Sequence, residues 1–195
     1  MSTQTTRPYR KRRRAELEDE TRLRITEATM HLHEEIGPAK TTVSAIADRA
    51  GVQRATVYRH FPDDEALIGA CSAHWMSLNP FPDIGAWASI DDVDERLRSG
   101  LAEMYDWYAH TETMVERLLR DRAAVPPIDQ RLGARDAYLD AAADVLLRGR
   151  PERGARRRQA RAAIAHALEF ETWRSLVRRQ GLDRDDAIEL MTRLV

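Results

Sequence analysis

Apolar residues recur at helical spacing along most of the chain, and nowhere do they alternate in the way a strand requires. From Leu17 the pattern turns helical, with Ile25, Ala28, Leu32 and Ile36 following at intervals of three or four until Gly37-Pro38 ends the run. Two short helices are predicted near 42–50 and 54–60, separated by Gly51-Val52-Gln53. Pro62-Asp63-Asp64 opens a fourth, with Asp63 as its cap. Asn79-Pro80-Phe81-Pro82-Asp83 reads as an irregular connection. Val93, Leu97, Leu101, Met104 and Tyr108 then form a stripe to be buried, and shorter helices are predicted over 112–122 and 128–148. Arg148 to Gly154 is a loop. A long helix from about 155 to 180 should end at Gly181, with a last one from about 184. The expected fold class is all-α.

Charge divides this helical chain. Residues 1–62 hold 12 Lys and Arg against 8 Asp and Glu, and the remainder holds 19 against 24. A basic front on an acidic body points to a polyanionic partner for the front alone. Residues 1–14 lack periodicity and carry Arg7, Arg10, Lys11, Arg12, Arg13 and Arg14, so residues 1–16 read as a flexible basic arm. Such an arm could reach DNA through Arg13 and Arg14, or could be a solvated tail. The single Cys71 forms no internal disulfide and supplies no metal-ligand pair, and no stretch is apolar enough to span a membrane. The expected compartment is the cytoplasm, with neither metal nor cofactor. Phosphate-cradling glycine loops, zinc-type spacings and nucleophile elbows are missing, which argues against an enzyme.

The informative stretch runs from Thr41 to Phe61. It holds two helices too short to survive alone, joined by a tight turn. Thr42 can cap the first, and Gly51 lies just past its end, where a left-handed residue is needed. Ala47 is small where helices would cross, and Ile46, Val52 and Val57 supply the apolar wedge. With Val57 and Phe61 turned inward, Gln53, Arg54, Thr56, Tyr58, Arg59 and His60 stay outside. Gln and Arg can read base edges in a major groove, while Thr, Tyr and His suit phosphate oxygens. The same face would also serve as the solvated side of an ordinary helical hairpin.

Residues Ile25 to Leu67, with the Ala-Gly-Val turn and the Thr-Val-Tyr-Arg-His-Phe helix, resemble the DNA-binding domain of the tetracycline-repressor (TetR) family. That resemblance implies a three-helix head with a helix-turn-helix, followed by a helical body that binds a small effector and dimerises. The expected organisation is a head over 17–62 and a body over 63–195. Thr42, Tyr58 and His60 would hold the DNA backbone, with Gln53, Arg54, Ala55 and Thr56 near base edges and Arg59 on the same helix. Two positions depart from the family pattern. Asp64 stands where a phosphate-facing Lys is common, and His33 where an aromatic Phe is common. The implied function is a DNA-binding regulator: a repressor released from a palindromic double-stranded operator by an effector. The alternative is a DNA-binding or architectural protein without one.

In the body, His74, Trp75, Met104, Tyr105, Trp107 and Tyr108 are the candidates to line a site for a small apolar or aromatic effector. Aromatics at helical spacing more often fill a core. Leu168, Phe170, Trp173 and Leu176 lie on a broad apolar face near the C-terminus and are the candidate homodimer interface, although a central core helix would look the same.

Overall fold

A computed structural model describes residues 6–195, apart from the side chains of residues 6, 7, 8 and 10. The first five residues of the expected arm, and the side chains of Arg7 and Arg10, lie outside this description. Among the described residues all regular structure is helical. Helix α1 spans Thr6–Ile36, α2 Val43–Ala50, α3 Arg54–His60 and α4 Asp64–Leu78. A short α5 (Ile84–Ala88) precedes α6 (Val93–Asp121), α7 (Pro126–Leu147) and α8 (Gly154–Ala167). Helix α9 (Phe170–Trp173) runs into a π-helical turn over Arg174–Arg179, and α10 covers Arg184–Leu194.

Two compact units result. Among the described residues, one comprises residues 6–78 together with 117–129, and the other residues 79–116 with 130–195. Packing therefore does not divide at the expected boundary between residues 62 and 63. Helix α4 belongs with the head because its Leu67 joins the core made by Ile25, Ala28, Leu32, Ile46, Ala47, Ala50, Val57 and Phe61.

Helix α1 is longer than its apolar stripe predicts. The segment expected to be an irregular arm is helical from Thr6. Arg12 pairs with Glu16 at 2.9 Å and Arg14 with Glu18 at 3.1 Å, both one turn apart, so the basic run meets the acidic run behind it. Ile36, counted into the buried stripe, is 37% exposed at the last position of α1.

The caps of the head form as expected. Thr42 Oγ1 accepts from the Ala45 N–H at 3.2 Å, and Asp63 Oδ1 from the Ala66 N–H at 2.8 Å. Gly51 adopts φ 65°, and its N–H and that of Val52 close the end of α2. Thr42→Ala should cost about 1 kcal/mol in chemical denaturation, with Thr42→Ser close to neutral.

Helix α6 is one helix where two were expected. Thr111 sits at the expected interruption, but its hydroxyl bonds back to the Trp107 carbonyl at 2.7 Å and the helix continues through Met114 and Val115, both buried. Asp92 Oδ1 caps its start on the N–H groups of Asp94 and Glu95. The helix expected over 155–180 is broken at Leu168–Glu169. Tyr105 and Tyr108 donate their hydroxyls to the carbonyls of Ala167 and Leu168, at 3.1 and 2.7 Å. Those carbonyls are the ones a continuous helix would spend on its next turn, and Glu169 turns extended there. A buried Arg96 ties the end of α7 to the start of α6, donating to the carbonyls of Ile90, Asp91, Val145 and Arg148.

Candidate nucleic-acid interface

Helices α2 and α3 pack on α1 through Ile46, Ala47 and Val57, each 3% exposed or less. The wedge expected from the sequence is therefore in place, with Val52 half-buried against it. This packing turns the outer face of α3 to solvent. Gln53, Arg54, Ala55 and Arg59 are exposed, Tyr58 is 48% exposed, and Thr56 is half-buried. Thr42 is exposed at the start of α2, one helix away. Arg13 and Arg14 are exposed on the first turns of α1.

His60 sits at the end of α3, half-buried. Desolvation, then the charges of Arg59 and Arg22, hold its imidazole below the usual histidine range. It is therefore mostly neutral near pH 7 and carries one ring N–H donor rather than a full charge.

Two arginines of α1 that sequence reasoning did not single out hold the motif in position. Arg22 donates to the His60 carbonyl at 2.8 Å and lies 4.2 Å above the Phe61 ring. Arg24 donates to the Ala50 carbonyl at 3.3 Å. Each places a cation at the negative end of a short helix, α3 and α2 in turn. Their spacing of two on a helix masks this partnership, because it follows no amphipathic period. Arg49 forks onto Glu35 at 2.6 and 2.7 Å, adding a second exposed tie between α2 and α1.

Both departures from the family pattern have local accommodation. Asp64 is exposed in the first turn of α4, where the helix dipole favours an anion. His33 is buried at 4% exposure, its Nδ1 3.8 Å from Cys71 Sγ. The turn between α1 and α2 is fastened by Arg120, which donates to the Ile36 carbonyl at 3.1 Å, and by Asp121, which accepts from the Ala39 N–H at 3.0 Å. Gly37 there has φ 90°, and a Cβ would collide with both side chains.

The aromatic candidates of the body fill a core, as aromatics at helical spacing more often do. Met104, Tyr105 and Tyr108 are 1% exposed or less, and both hydroxyls are engaged by backbone. Trp75 and Trp107 are 9% exposed, the latter donating to the Asn79 carbonyl at 3.2 Å. His74 is half-buried and lies 3.9 Å from Glu27 within the head unit, so it does not share a unit with the other five except Trp75. The assignment of Leu168, Phe170 and Trp173 to a dimer surface is corrected. All three are 1% exposed or less within one chain, where Tyr108, Phe170 and Trp173 form a ring cluster with centroids 5.4–5.8 Å apart. Only Leu176 of that set reaches the surface, half-buried.

Among the described residues no group of three His, Cys, Asp or Glu could hold a metal ion, and no helix is long and apolar enough to cross a membrane.

A short helix-turn-helix with an outward polar recognition helix, set on a third helix, defines a DNA-binding head. Residues 25–71 match the family model of the bacterial regulatory proteins of the tetR family. The helix-turn-helix head is thus that of the tetR family of bacterial regulatory proteins. No curated protein matches the sequence. Among solved structures, a TetR-like transcriptional regulator from Rhodococcus is similar in fold, with 19% identity over 89% of this chain and 92% of that one and a TM-score of 0.61. The fatty acid degradation regulator of Bacillus halodurans is 21% identical over 89% and 93%, with a TM-score of 0.60. A Bacillus subtilis transcriptional regulator crystallised with stearoyl-CoA is 20% identical over 88% and 96%, with a TM-score of 0.57.

Proposed function

We propose that this regulator is a repressor that grips a palindromic operator as a homodimer and leaves it when a small apolar effector binds the body. The observation that carries the DNA half is the solvent-facing set on α3, with Arg54 exposed at its first position and Gln53 exposed just before it. Those residues serve no core, and both can pair with base edges. Thr42, Tyr58, Arg59 and His60 surround them with donors suited to phosphate, and Ala55 and Thr56 offer a methyl contact to a thymine. Arg13 and Arg14 add phosphate contacts from the start of α1.

Arg54→Ala tests this. It is expected to cost about 1–3 kcal/mol on a selected operator and much less on random duplex, read by fluorescence anisotropy at fixed salt. Equal losses on both duplexes would remove Arg54 from the base-reading set.

The effector half rests on the body. Its likeness to a regulator crystallised with stearoyl-CoA favours a long apolar ligand. Release then requires that the ligand bind the DNA-free form more tightly, a coupling of about 1–3 kcal/mol. A second reading, regulation of DNA without an effector, is favoured by the way Tyr105 and Tyr108 spend their hydroxyls on backbone. A screen of acyl chains and aromatics against operator affinity separates the two. For the homodimer, we assign the seam to what stays outside the core: Leu176 in the π-helical turn and Leu194, 65% exposed, on α10. No catalytic role is assigned.

A further inference from the structure

The head unit contains a cavity of about 410 Å³, bounded by α1, the turn after it, α2, α4 and residues 124–127. That volume lies within the range of small-molecule sites, about 300–1,000 Å³. Every wall belongs to one compact unit.

Its construction favours a space that persists. Pro38, Pro126 and Pro127 form part of the wall. Proline rings are stiff and carry no N–H that must find a partner, so such a wall resists collapse. Ile46 and Leu67 add apolar surface, and both are buried core residues whose positions are already determined by packing.

The polar groups of the lining share one character. The Thr41 hydroxyl donates to the Gly37 carbonyl at 2.9 Å and the Thr29 hydroxyl to the Ile25 carbonyl at 2.8 Å. The Thr41 hydroxyl has thus spent its proton and presents lone pairs to the cavity, while Thr29, 0% exposed, lies behind the wall. His33 brings no positive charge, since burial lowers its pKa to about 4. Asp64 supplies a carboxylate, and no Lys or Arg lines the space. Arg120, near the same turn, is engaged by Asp121 at 2.7 Å. The lining is thus partly apolar, with the Thr41 hydroxyl and the Asp64 carboxylate as its accessible acceptors.

We propose that this cavity binds a small apolar cation, an alkyl- or arylamine whose ammonium meets Asp64 and whose hydrocarbon end packs against Ile46 and Leu67. The site is separate from an effector site in the body and does not depend on one.

The test uses the full chain with labelled Ile and Leu methyls, titrated by nuclear magnetic resonance. The probes are phenethylamine, neutral 2-phenylethanol and anionic 3-phenylpropionate. Phenethylamine should shift the Ile46 and Leu67 methyls saturably, with 2-phenylethanol about ten-fold weaker and the anion weaker still. Asp64→Asn should lose that ten-fold for the amine and leave the alcohol unchanged. Ala124→Phe, placed in the wall segment rather than in a helix core, should block both. Equal affinity of amine and alcohol would overturn the proposal, as would an unaffected Asp64→Asn variant. So would the lack of a saturable shift at these two methyls, whatever the DNA-binding results.

Discussion

Lowering the pH from about 6.5 to about 4 is expected to remove about 3 kcal/mol of stability through His33 alone. Burial is the main cause of its lowered pKa, since the charged imidazolium would leave water for the space between α1 and α4. The nearby Asp121 charge opposes this only in part. In the unfolded chain His33 takes up its proton near 6.5, and in the folded chain only near 4. Within that window the unfolded state binds more protons, so stability falls as pH falls and the loss is complete below about 4. Asp121 itself titrates below the usual carboxylate range, held there first by the Arg120 hydrogen bond, so its own loss begins at lower pH. Urea denaturation at stepped pH, compared with His33→Phe, isolates the contribution. His60 has a lowered pKa of the same sign but is present in both proteins and cancels. The same slope in the variant would mean that His33 does not carry the effect.

Trp173→Ala is expected to destabilise the body by about 3–5 kcal/mol, and Phe170→Glu to leave it unfolded. Both side chains are 1% exposed or less and touch Tyr108 and each other, so truncation leaves a void and a carboxylate finds no partner. Leu176→Glu should behave in the opposite way, keeping full helicity by circular dichroism while sedimentation reports monomer. A well-folded monomer from Phe170→Glu would return that residue to the surface and reverse the correction made above.

Much of the head was legible because its signals are local. Thr42, Gly51 and Asp63 announce caps through chemistry within three residues, and Val57 with Phe61 sets the inward face of α3, which leaves the rest outward. The body was harder to read, because an apolar face says that a residue is buried and not what buries it. Phe170 and Trp173 look alike whether a second chain or α6 covers them. The break after Ala167 depends on two tyrosines some 60 residues earlier, and no pattern within α8 betrays them. Arg22, Arg24 and Arg120 were missed for the same reason, since each satisfies a carbonyl distant in sequence. Helix at the basic arm came from ion pairs across two segments that were read separately.

The fastening of the α1–α2 turn by Arg120 and Asp121 bears on how the protein is made. A ribosome releases residues 1–78 first, yet the unit they belong to also needs 117–129. The compact unit that carries the helix-turn-helix is therefore not contiguous in sequence. Until Arg120 and Asp121 have emerged, the Ile36 carbonyl and the Ala39 N–H lack these partners, and the nascent head stays incomplete while α6 is being synthesised. A gene fragment ending at residue 78 would encode every residue proposed to face DNA but lack the Arg120 and Asp121 contacts to the α1–α2 turn, so a graft of this head is expected to be more stable when it carries the 117–129 segment.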